Sequence, residues 1–194
     1  MTRHINTLIT VVALTFALSS TAAADSNGIA TLGIGAGVVH TSAPGELGET
    51  STAAQIGVRT KLLYIFGLDF SLASARSTFE SGQSIPRYRM SALLYLMNMN
   101  HFGLFASAGM ASGQINDLFN IDGDTTYLRA GGGTEISIRD HYAIALEGYW
   151  MVPGLGMMNQ NLNNSLNTTG LLPNPEQALP LNGYEISVGI RYFF

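Results

Sequence analysis

Residues 184–194 read YEISVGIRYFF, and the alternation within them decides the fold. Tyr184, Ile186, Val188, Ile190, Tyr192 and Phe194 fall on one face, and Glu185, Ser187, Gly189 and Arg191 on the other. A period of two belongs to an extended strand, whose successive side chains point to opposite sides. The polarity is the telling part. One face is bulky and uncharged; the other mixes glycine, a small hydroxyl and charges of both signs.

The same parity recurs seven times upstream. Ala30, Leu32, Ile34, Ala36 and Val38 oppose a row of threonine and glycine, and Ala54, Ile56, Val58, Leu62 and Tyr64 oppose Gln55, Gly57, Arg59 and Lys61. Leu68, Phe70 and Leu72 oppose Asp69, Ser71 and Ala73, and Met90, Ala92, Leu94 and Leu96 oppose Arg89, Ser91, Leu93 and Tyr95. Segments starting at Phe102, Leu128 and Tyr142 complete the set. In every case the even-numbered residues are the apolar ones. A soluble sandwich or cup would turn bulky residues inward and leave a surface of glycine, alanine and serine. The reverse arrangement suits lipid: bulky side chains meet hydrocarbon, and small ones fit a narrow interior. The expected fold is all-β, an eight-stranded antiparallel up-and-down transmembrane β-barrel.

Composition agrees with that expectation. The chain has 194 residues, 46% of them hydrophobic and only 11% charged, a low share for a soluble surface. A net charge of -4 with no basic cluster argues against a nucleic-acid partner. With no cysteine there is no disulfide, thiolate nucleophile or cysteine metal site. Arg3 and His4 precede an apolar run from Leu8 to Leu18, followed by small residues in TAAAD (21–25). That is the layout of a secretory signal, too short to span a bilayer, with cleavage expected after Ala24. Residues 1–24 are thus read as a cleaved signal and 25–194 as the barrel.

The connections alternate in length: 40–51, 77–86, 112–124 and 153–181 are long, and 65–67, 98–101 and 139–141 are short. Outer-membrane barrels have long extracellular loops and short periplasmic turns. Pro153, Pro173, Pro175 and Pro180 are expected to keep 153–181 free of regular structure. Aromatic residues gather toward two levels: Tyr64, Phe66, Phe102, Tyr142, Tyr192 and Phe194 at the periplasmic side, and Phe79, Tyr88, Trp150 and Tyr184 at the outer side.

On these features the chain resembles the small eight-stranded outer-membrane barrels, the group that includes OmpX, the opacity proteins and the OmpA transmembrane domain. The resemblance covers residues 28–194. It implies an outer-membrane location, a monomer among lipid and lipopolysaccharide, and a last strand read by the outer-membrane insertion machinery. That signal would be Tyr184, Ile186, Val188, Ile190, Tyr192 and Phe194. A periplasmic cell-wall-binding domain like that of full-length OmpA is not expected after Phe194.

The interior parity class holds Arg59, Lys61, Asp69, Arg89, Arg129, Glu135, Glu147, Glu185 and Arg191, five cations and four anions. Buried charges must pair, so this balance reads as a salt-bridge plug, with Arg191 or Arg129 between Glu135 and Glu147. Chemistry is sparse: His101 and His141 fall in turns, and the glycine clusters precede no helix pattern that could make a phosphate site. No catalytic, metal or cofactor residue is expected. His40 and Ser42 share an outward face, as in lipid A deacylases, but lack a carboxylate partner and the wider pattern. The leading reading is a non-enzymatic barrel whose loops serve adhesion, recognition or envelope integrity, with Arg76 and Arg87 as rim contacts for lipid phosphate. An OmpW-like narrow channel for small or hydrophobic molecules, and a lipid A-modifying enzyme, are the alternatives.

Overall fold

A strand in lipid can satisfy its backbone only by pairing on both sides, so the alternating segments must close on themselves. The computed structural model describes residues 30–42, 50–76, 84–99, 101–123, 125–169 and 183–194. Its strands are β1 (Ala30–Ser42), β2 (Thr50–Leu62), β3 (Phe66–Arg76), β4 (Ser84–Asn98), β5 (Phe102–Ser112), β6 (Thr126–Arg139), β7 (Tyr142–Pro153) and β8 (Gly183–Phe193). Each pairs antiparallel with its chain neighbour, and β1 pairs with β8 to close the barrel.

The register fixes the width of the interior. Crossing the ladder from Gly33 leads through Arg59, Asp69, Ser91, Gly109, Arg129 and Met151 to Gly183. Gly33 itself pairs with Phe193, so the circuit returns ten residues out of step, from 183 to 193. Eight strands with that shear tilt by roughly 40° and leave room inside for side chains alone.

Alternation then sorts the faces. Along β7, Ala143, Ala145, Glu147, Tyr149 and Met151 are buried, while Tyr142, Ile144, Leu146 and Trp150 are exposed. On β8, Tyr184, Ile186, Val188 and Ile190 stand outside, and Glu185, Ser187 and Arg191 inside. Leu32 departs from the rule: it has outward parity but is buried. Among the described residues no helix is long and apolar enough to cross a membrane.

Several boundaries differ from the sequence expectation. β1, β2 and β4 run further into the long connections 40–51 and 77–86, because a hydrogen-bonded ladder does not require an apolar face. β1 continues through Ser42, and the region beyond it, 43–49, lies outside the described residues, as do 77–83, 170–182 and residues 1–29, where the signal was expected. The β2–β3 turn sits at Leu63–Ile65 rather than 65–67. Segment 153–181 is not free of regular structure: α1 (Leu155–Thr169) occupies its first half. Pro153 ends β7 and Pro173 comes after the helix, so no proline interrupts 155–169. Connection 112–124 contains a 3₁₀ turn at Ile115–Asp117. Single-residue register shifts at Leu96 and Ile138 mark the ends of β4 and β6 opposite the loops.

Candidate functional site in the barrel interior

The interior charges form two groups separated by small residues. On β8 the inward sequence is Glu185, Ser187, Gly189, Arg191; on β6 it is Arg129, Gly131, Gly133, Glu135. Glycine and serine at mid-height leave space into which long side chains from above and below can reach.

Nearer the chain termini, Arg59 is the hub. Its guanidinium donates to Asp69 Oδ2 at 2.8 Å, to Glu135 Oε1 at 2.6 Å and to Glu147 Oε1 at 2.6 Å, with its side chain fully buried. Each of these carboxylates has a second cation: Arg191 on Asp69 at 3.0 Å and on Glu147 at 2.7 Å, and Lys61 on Glu135. Three cations therefore interlock with three anions. Aromatic rings surround them. Arg59 lies 4.8 Å from the Phe105 centroid and Lys61 4.2 Å from that of Phe193, and the hydroxyls of Tyr95 and Tyr149 reach Glu135 and Glu147. A planar guanidinium with five donors in a fixed fork serves the three carboxylates and keeps donors to spare.

Toward the loops, Glu185 lies between Arg89 at 2.9 Å and Arg129 at 2.8 Å. Arg89 also donates to Gln55 Oε1 at 2.8 Å, and Arg129 stacks over Tyr149, 3.6 Å from its centroid. The Arg89–Glu185 contact is an ion pair without hydrogen-bond alignment, because Arg89 Nε and Glu185 Oε2 have no hydrogen-bond partner in the protein. This group is more loosely satisfied than the first.

All nine charged residues singled out by parity are inside; Lys61 is the most accessible, at 19%. The bridge between Glu135 and Glu147 is Arg59, not Arg191 or Arg129, because its long side chain meets both from across the barrel. Parity reading passed over Gln55, Tyr95, Phe105 and Tyr149, although their odd numbers placed them inward. Between the two groups, Gln55, Ser71, Glu147, Ser187 and Arg191 line a gap of about 10 Å³, the room of one water molecule.

Other sequence candidates have simpler surroundings. Tyr192 packs edge-on against Tyr142 and Phe194, with centroids 5.0 Å apart in each case. His40 Nδ1 is 2.9 Å from the Thr52 hydroxyl, and the carboxylate beside it in the register, Glu185, is turned inward. His141 is not merely solvated, since its Nδ1 lies 3.0 Å from the Phe193 carbonyl. Among the described residues no three acidic, histidine or cysteine side chains are grouped to hold a metal. The Arg76 side chain lies outside the described residues, and Arg87 is half-buried on the inward parity.

Solved structures with this fold are transmembrane barrels. A de novo designed transmembrane β-barrel aligns over 84% of this chain and 95% of its own at 13% identity, with a TM-score of 0.52. Neisserial surface protein A (NspA) aligns over 84% of this chain and 97% of its own at 12% identity and a TM-score of 0.52. Ail, the attachment invasion locus protein of Yersinia pestis, gives 13% identity, coverage of 84% and 98%, and a TM-score of 0.49. No family model matches the sequence, and no curated protein matches it. The first two likenesses define the class: this chain has the fold of the small eight-stranded transmembrane barrels.

Proposed function

We propose that the chain is a non-enzymatic outer-membrane protein whose plugged barrel holds its long loops at the cell surface for adhesion, recognition or envelope integrity. The observation that carries this reading is the Arg59 hub. Three carboxylates close on one fully buried guanidinium, which removes the lumen as a path and makes the barrel a rigid support. The long connections then carry the variable chemistry, as loops on rigid scaffolds commonly do. Lipid and lipopolysaccharide surround the belt, the outward face of Tyr184 to Phe194 serves as the insertion signal, and the barrel works as a monomer.

Two measurements test it. Purified protein in planar bilayers is expected to show no conductance; steady channels abolished by Arg89→Ala or Glu147→Ala would favour the narrow-channel alternative. Deleting 155–181 while β7 and β8 remain joined is expected to weaken attachment of expressing cells to surfaces. Unchanged attachment with a folded barrel counts against recognition by that loop. The lipid-modifying alternative has less support, because His40 faces a threonine hydroxyl rather than an acid.

A further inference from the structure

The two interior groups differ in their balance of charge. Nearer the chain termini, Arg59, Lys61 and Arg191 meet Asp69, Glu135 and Glu147, and the signs cancel. Toward the loops, Arg89 and Arg129 share Glu185, and Arg87, the next inward position of β4, adds a third cation. Among the described residues no second carboxylate pairs with these arginines, so after Glu185 is counted two positive charges stand in excess at the loop end of the lumen.

The hydrogen bonds show where a counter-charge fits. Arg89 is 2% exposed and Arg129 5%. Arg89 Nη1 donates to Gln55, but Nε and Nη2, the donors along one edge of its guanidinium, have no hydrogen-bond partner, and neither has Arg129 Nε. Glu185 Oε2 is 2.9 Å from Arg89 Nε without lying along its N–H, so the carboxylate is close while the donors of that edge remain unmet. Buried donors without an acceptor are costly, charged ones most of all. A guanidinium edge presents two parallel N–H groups, and carboxylates and phosphates accept from both at once. The wall on this side is of short side chains: Ala73 pairs with Arg87 across β3–β4, and Ala111 with Arg89 across β4–β5. The Arg59 group closes the lumen toward the termini, so a ligand reaches this place from the loop end.

We infer that the loop end of the lumen is a binding site for a phosphate-type oxyanion, seated on the open edge of Arg89 with Arg129 and Arg87 beside it. A carboxylate matches the edge but brings a single negative charge. A phosphate carries about 1.5–2 negative charges at neutral pH, which answers the excess, and its further oxygens serve Arg129 and Arg87. The inference rests on the reading of a plugged barrel with recognition at its loop end, and names the chemistry recognised there.

The mature chain, folded in phospholipid-free alkyl maltoside micelles, is titrated with inorganic phosphate at constant ionic strength and followed by calorimetry. A single phosphate is expected to bind each chain. Arg89→Gln is expected to weaken binding roughly tenfold or more, through loss of a charged hydrogen-bonded edge. Arg87→Gln, at a half-buried position, is expected to weaken it too, and carries the test if heat-modifiable gel migration shows that Arg89→Gln has not folded. Arg139→Gln removes an exposed cation at the opposite end and should leave the affinity unchanged. Doping the micelles with lipid A identifies the source: displacement of phosphate assigns the site to a lipopolysaccharide headgroup, and retention assigns it to a soluble phosphate. No binding, or an equal loss from Arg139→Gln and the β4 variants, would overturn the site. If the same barrel does not conduct in planar bilayers, the plugged reading survives that result, whereas steady conductance would remove the plugged reading itself.

Discussion

At the residue scale, the molecule depends most on Arg59. Each carboxylate it touches retains one other cation, but removing the hub leaves three acids sharing Lys61 and Arg191 inside a closed sheet. Deleting one partner from a buried ion pair typically costs about 3–5 kcal/mol. Arg59→Met is expected to lower stability by that order in urea unfolding from lipid vesicles. Lys61→Met should cost distinctly less, since Glu135 keeps Arg59 and Lys61 is already partly hydrated. Equal losses from the two variants would contradict the hub. The sequence showed that these nine charges face inward, because parity alone determines it. It could not show that Arg59 bridges Glu135 and Glu147, since those residues are 76 and 88 positions away and meet Arg59 across the lumen. Side-chain reach in three dimensions has no periodic signature.

At the scale of elements, the strands were legible and the caps were not. Eight alternating runs with one parity fix eight strands, because a slip of one residue would turn every bulky side chain into the lumen. The β2–β3 turn was misplaced because Leu63 and Tyr64 are strand-forming types, and nothing in their chemistry announces a left-handed backbone. Helix α1 has no clear signature in the sequence, because its asparagines favour turns and prolines flank it on both sides. The connection beside it is built around Thr126, which is fully buried, with its hydroxyl 2.9 Å from the Asp117 carbonyl and 3.0 Å from that of Asn120. The Thr126 carbonyl in turn accepts from Gly154 at 2.7 Å, tying the connection to the top of β7. Thr126→Val keeps the shape and removes the hydroxyl, at a cost of about 1–2 kcal/mol. Faster amide exchange in 113–123 with unchanged exchange in the strands is the expected result. An unchanged connection would mean that the hydroxyl is dispensable.

At the scale of the whole molecule, one inversion explains the rest: large apolar side chains outside, charges and glycine inside. Closure removes every sheet edge, and the shear of ten sets a lumen that side chains can fill. The ion pairs then follow from the need to neutralise buried charge. The most direct test places a nitroxide at Leu94 and, in a second variant, at Ser91, three residues apart on β4 and on opposite faces. In lipid vesicles the Leu94 label should be accessible to oxygen and shielded from an aqueous nickel chelate, while the Ser91 label should be immobilised and shielded from lipid. A Leu94 label open to the chelate, with Ser91 facing lipid, would contradict the account.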